Sequence, residues 1–273
     1  MHAFIIAIVL GIVEGFTEFL PISSTGHLII AQDALNFKDN HDLFTVVVQL
    51  GAIAAVVWYY RRDLWEKITG LFKRESEALN FWKLLIIATV PAGIFGLLFD
   101  KSMEHITTPL VVAISLIIGG IILWIVDRKP VLLHKARKES VDFGEITTRR
   151  ALIVGLAQCV AIIPGVSRSG ATIVGGLSTG MNRPTATAFS FYLSIPVLVL
   201  ASAYKLYKYG GELHTLPGGV DALVMGLVFA FITALLAISW LLRYVSRHNF
   251  RPFAYYRIGV GILILVLLAY GIL

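Results

Sequence analysis

Apolar residues run along this chain in blocks of about twenty, separated by short stretches where charges collect. Blocks near residues 43–60, 82–99, 108–127, 184–207, 218–243 and 252–272 each approach the roughly 20 residues a helix needs to cross the hydrocarbon core of a bilayer. This pattern predicts an all-α integral membrane protein with six transmembrane helices. Two more apolar stretches, 3–32 and 146–180, are interrupted by proline, glycine and a polar cluster. They are predicted to be broken, re-entrant helical hairpins, each entering and leaving on one side.

The hairpins carry an internal repeat. A shift of 144 residues aligns GIVEG (Gly11 to Gly15) with GLAQC (Gly155 to Cys159), and SSTG (Ser23 to Gly26) with SRSG (Ser167 to Gly170). The order of elements repeats with them, one hairpin followed by three spans, so a single membrane domain, 1–273, divides into a first copy of about 1–128 and a second of about 145–273. Three spans is an odd number, so the second copy lies upside down relative to the first, an inverted-topology repeat with two broken helices meeting near the midplane. The alternative, a single Pro-kinked span for each stretch, changes the side of every later loop and spoils the charge pattern described next.

Composition agrees with the blocks: 57% of residues are hydrophobic and 15% charged, with a mean hydropathy of +0.81, which excludes an ordinary soluble domain. Of the 23 Lys and Arg residues, 17 fall in 61–83, 128–150 and 243–257. By the positive-inside rule these segments face the cytoplasm and both termini face outside, so the first hairpin opens to the outer side. Basic runs flanking spans read as solvated loops beside anionic membrane lipids, with no nucleic-acid partner. The first 13 residues lack the basic start and small-residue cleavage site of a signal peptide. The single cysteine, Cys159, excludes an internal disulfide and any cysteine-based metal cluster.

The candidate chemistry lies in the hairpins. Pro21 is expected to end the first half-helix near Leu20, with Ser23 and Ser24 as caps for a second running from about Thr25 to Ala34. A half-helix beginning inside the membrane aims unpaired N–H groups and its positive end at one spot, which suits phosphate. In the second copy Pro164 and Gly165 break the helix, and Arg168 adds a charge at the next start. Glu14 and Glu18 share one helical face, and two carboxylates beside a phosphate site call for a divalent cation, Mg²⁺ or Ca²⁺; protonation or pairing with Arg168 is the structural alternative. His27 lies three residues after Ser24 and four after Ser23, so an imidazole sits near a hydroxyl that needs a base. Spacing alone does not choose between the two serines.

EGFTEFLPISSTGH and PGVSRSGAT resemble the two signature motifs of the bacterial undecaprenyl-diphosphate phosphatases of the bacitracin-resistance type, and the likeness extends over essentially the whole chain. The resemblance implies removal of the terminal phosphate of undecaprenyl diphosphate in the bacterial inner membrane, recycling the carrier for cell-wall synthesis. It implies Glu14 and Glu18 as the acidic pair and metal ligands, Ser24 as nucleophile, His27 as its acid/base partner and Arg168 as phosphate clamp. Ser23, Thr25, Ser167, Ser169 and Thr172 become supporting phosphate donors. A metal-activated water competes with Ser24 for the attack, and a homodimer is compatible with the pattern. The rival function is a transporter or flippase for a lipid phosphate, since broken inverted repeats serve transport as well.

Overall fold

The computed structural model describes residues 2–104, 106–128 and 140–272. Among these, the chain forms α-helices and short 3₁₀ turns and no strand. Two short helices, α1 (His2–Thr17) and α2 (Ser24–Ala34), are followed by α3 (Leu43–Tyr59), α4 (Arg61–Phe72), α5 (Ser76–Glu104) and α6 (Pro109–Arg128). The order then recurs with α7 (Thr148–Cys159) and α8 (Arg168–Ser178), followed by α9 (Arg183–Tyr209), α10 (Gly219–Val245) and α11 (Arg251–Ala269). Six helices, α3, α5, α6, α9, α10 and α11, are long and apolar enough to cross a membrane, and they fall on the six predicted blocks. The protein is a multi-pass membrane protein. Met1, His105, Lys129, His134, Lys135, Arg137, Lys138 and Leu273, and the side chain of Lys101, lie outside what the structure describes.

The two halves interlock through small residues. In lipid no hydrophobic force distinguishes neighbour from solvent, so helices associate where backbones approach closely. Gly11 of α1 lies against the backbone of Gly226 in α10, where an added Cβ would stand 2.9 Å from the Gly226 Cα. Gly155, its counterpart in α7, lies against Ala88 of α5, where a Cβ would again meet a Cα at 2.9 Å. The first helix of each short pair therefore packs on the middle span of the other half, while α3 packs on α9 and α6 on α11. The outward faces keep the apolar side chains that lipid requires, such as Leu98, Leu236 and Leu263, all more than half exposed.

Candidate active site

Both chain breaks are built alike. The α1 helix stops at Thr17, three residues before the expected end, and its Thr17 hydroxyl bonds back to the Val13 carbonyl at 2.7 Å. Pro21 has no N–H to continue the ladder, and Ser23 turns the chain sharply with φ 72° and ψ 93° before its Oγ accepts the Gly26 N–H at 3.3 Å. In the other half Ser167 adopts φ 73° and ψ 114°, and its Oγ accepts the Gly170 N–H at 3.0 Å. A left-handed serine costs about 1–3 kcal/mol. That cost recurs at positions 144 residues apart because each serine must cap a helix that begins inside the protein.

The two breaks meet at a cavity of about 570 Å³ whose inner wall includes Glu18, Ser23, Ser24, Thr25, Ser167 and Arg168. Arg168 Nη2 bonds Glu18 Oε1 at 2.8 Å, and Arg168 Nη1 bonds the Ser190 carbonyl of α9 at 3.0 Å. The other carboxylate oxygen of Glu18 accepts the hydroxyl of Ser24. One carboxylate therefore joins the guanidinium of the second half to a hydroxyl of the first. Its side chain is 4% exposed and that of Arg168 10%, so the pair sits in a low dielectric where its field acts strongly on nearby groups.

Other predicted residues support this centre from behind. Ser169 donates to the Leu20 carbonyl at 2.8 Å, tying the start of α8 to the first break. Thr172 bonds the Arg168 carbonyl at 2.9 Å and the Ser190 hydroxyl at 2.7 Å, which anchors the residue carrying the guanidinium. Neither Ser169 nor Thr172 lines the cavity, and their hydroxyls hold Arg168 and the break in place. His27 differs from expectation. Its Nδ1 lies 2.7 Å from the Ser23 carbonyl and its Nε2 2.8 Å from the Tyr256 hydroxyl, with the two rings stacked. A spacing of three sets a common helical face for Ser24 and His27, but the Ser24 side chain turns toward Glu18, just past the end of α1, and the imidazole toward α11. The group in contact with Ser24 is Glu18.

Glu14 is fully buried, and neither of its oxygens has a hydrogen-bond partner. A buried carboxylate in that state is expensive unless a proton or a cation satisfies it. Both oxygens of Glu18 are already engaged, and no group of three or more His, Cys, Asp or Glu residues forms among the described residues. Glu14 and Glu18 are hard oxygen donors of the kind that hold Mg²⁺ together with substrate phosphates; of the two, Glu18 lines the cavity and Glu14 does not.

Residues 7–263 match the family described as bacitracin resistance protein BacA. The chain belongs to that family. It is 50% identical over 261 residues to the undecaprenyl-diphosphatase of Nitrosospira multiformis, covering 95% of this chain and 93% of that protein. It is 49% identical to undecaprenyl-diphosphatase 1 of Paraburkholderia xenovorans, with the same coverage of each chain. The undecaprenyl-diphosphatase of Dechloromonas aromatica is 48% identical over 271 residues, covering 97% of this chain and 94% of that one.

Three further positions around the breaks lie outside the two motifs. Arg257 counts in the sequence as one of the cytoplasmic loop charges, yet it is 1% exposed. Its guanidinium bonds Pro21 O at 3.2 Å in the first break, and Gly165 O at 3.2 Å and Val166 O at 2.9 Å in the second. Ser115 O and Leu116 O of α6 complete its shell. An arginine six residues into an apolar span was the available signal. Gln158, aligned with Glu14 by the 144-residue shift, is 2% exposed, lines the cavity, and has both amide atoms unpartnered. Tyr256, outside both motifs, holds His27 through its hydroxyl.

Proposed function

We infer that this chain is an undecaprenyl-diphosphate phosphatase, hydrolysing undecaprenyl diphosphate to undecaprenyl phosphate and inorganic phosphate. This returns the lipid carrier to cell-wall synthesis and accounts for bacitracin resistance in the family. The observation that carries the mechanism is the Ser24 hydroxyl held on Glu18, itself paired with Arg168, at the inner end of a cavity.

Glu18 accepts the Ser24 proton as the oxygen attacks the terminal phosphorus. The bond from that phosphorus to the bridging oxygen breaks, and the lipid monophosphate leaves. Water then hydrolyses the phosphoserine, with the Glu18 carboxyl returning a proton to Ser24. Arg168 stabilises the transferring oxygens by charge and geometry, which carry most of the catalytic burden in phosphoryl transfer. Ser23, Thr25 and Ser167 lie along the same wall as further donors. Glu14, with Glu18, would hold Mg²⁺ or Ca²⁺, which supplies charge neutralisation to the diphosphate. His27 positions the first break through Ser23 rather than touching Ser24.

The same reading places the chain in the bacterial inner membrane with both termini and the cavity mouth outside. The matched serine caps and the reciprocal packing of Gly11 and Gly155 support the inverted repeat of two re-entrant hairpins, one per half. Basic loops contact anionic lipid, and a homodimer is consistent with the extensive apolar outer faces.

Phosphate release from undecaprenyl diphosphate by the purified protein, with and without EDTA, tests this function. Rapid quench should trap phosphate on Ser24. Release with no phosphoserine, together with full activity in Ser24→Ala, would hand the attack to water.

A further inference from the structure

The cavity is too small for the substrate assigned to it. At about 10–15 Å³ for each water-sized atom on the scale of this cavity, the sixty-four heavy atoms of undecaprenyl diphosphate need about 640–960 Å³, against the 570 Å³ present. Part of the tail must leave the cavity. The axial route is polar: Asp42, Thr107 and Lys205 stand at that end, and Lys205 lies fifteen residues past Ser190, about 22 Å along α9.

The side wall is different. Gly93, Gly96 and Leu97 of α5 and Leu200 and Ala201 of α9 line the cavity. Several of these are also on the outer surface: Leu97 is 67% and Leu200 58% exposed, and Gly93 and Ala201 are exposed. Residues that line a cavity and are themselves widely exposed mark an opening through its wall. An added Cβ on Gly93 or Gly96 meets nothing within 4 Å, unlike the glycines packed against helices. Pro91 and Pro196 interrupt the two helices just before this stretch, each removing one backbone hydrogen bond. Farther in, Gln158 presents a buried, unpartnered carboxamide to the same cavity, a polar ligand contact beside the apolar passage.

We propose that the gap between Gly93–Leu97 of α5 and Leu200–Ala201 of α9 is a lateral portal through which the isoprenoid tail passes into the bilayer while the diphosphate stays at Arg168 and Ser24. The proposal rests on the phosphatase reading and adds where the lipid enters. Because Gly93 and Gly96 face open space, a bulky side chain there obstructs the tail without disturbing packing.

The test compares wild type, Gly96→Phe and Leu200→Trp on undecaprenyl diphosphate and on geranyl diphosphate, whose nineteen heavy atoms need about 190–285 Å³ by the same measure and so fit inside. Both variants should lose at least tenfold in kcat/KM on the long substrate and less than twofold on the short one, with unchanged thermal unfolding. Two unobstructed walls would give undiminished turnover of the long substrate, which overturns the portal, as does an equal loss on both substrates. A folded wild type inactive on both, with Mg²⁺ or Ca²⁺ supplied, removes the phosphatase reading and the portal with it. If Gly96→Phe fails to fold, Leu200→Trp, on a residue already facing lipid, decides.

Discussion

Ser24 and Glu18 should behave kinetically as one group. The Ser24 hydroxyl donates to one oxygen of Glu18, whose other oxygen lies 2.8 Å from Arg168. A positioned base is worth about 10²–10⁴ in rate, which at 1.36 kcal/mol per decade is about 3–5 kcal/mol. Glu18→Gln keeps the side-chain shape but cannot take the proton, so it should lose that factor. Ser24→Ala removes the nucleophile and should lose at least as much. Combining them should cost no more than the worse single change, because neither half works without the other. Stability should separate the two. Breaking a buried ion pair by removing one partner costs about 3–5 kcal/mol, and Glu18→Gln leaves Arg168 without its counter-charge, whereas Ser24→Ala keeps the pair and should cost about 1 kcal/mol. The assays are initial rates of phosphate release per folded molecule and thermal unfolding of all four proteins. Multiplicative losses in the double variant, or more than a tenth of the wild-type rate in Ser24→Ala, would refute the coupled pair.

Glu14→Gln, which puts an uncharged side chain of the same shape in place of a buried carboxyl with no hydrogen-bond partner, should not lower the unfolding midpoint, while increasing the divalent cation needed for half-maximal activity; a lower midpoint would show the carboxyl to be satisfied in the protein alone. EDTA should abolish phosphate release, and Mg²⁺ or Ca²⁺ should restore it, with no shift in the far-ultraviolet helical signal. Arg257→Lys retains the charge but not the fork that reaches carbonyls of both breaks and α6; kcat should fall more than tenfold, and a KM effect alone would contradict a positioning role. Asp127→Ala should act on stability only. Its carboxylate holds Arg183 at 2.7 Å and the Phe250 N–H at 2.9 Å, outside the residues lining the cavity. A loss of about 3–5 kcal/mol is expected with kcat per folded molecule unchanged.

Periodicity and block length alone determined the six crossings and the two interrupted segments, because a helix in lipid must satisfy its own backbone and keep an apolar surface. The proline, glycine and serine punctuation located both breaks to within a few residues, and the motifs singled out Glu18, Ser24 and Arg168, since hydroxyls and charges inside apolar runs are costly unless used. Sequence spacing could not say which side chain meets Ser24. Helical register puts His27 on the face of Ser24 and says nothing of Glu18, which lies across the break, and only the packing of α11 against α6 and the first break draws the imidazole to Tyr256 and leaves Ser24 to the carboxylate. Arg257 was hidden for the same reason: five carbonyls from three separated segments form its site, and no local pattern encodes their convergence. The cavity, its unpartnered Gln158 and its open side wall belong to the tertiary structure alone, because a void is defined by the helices around it.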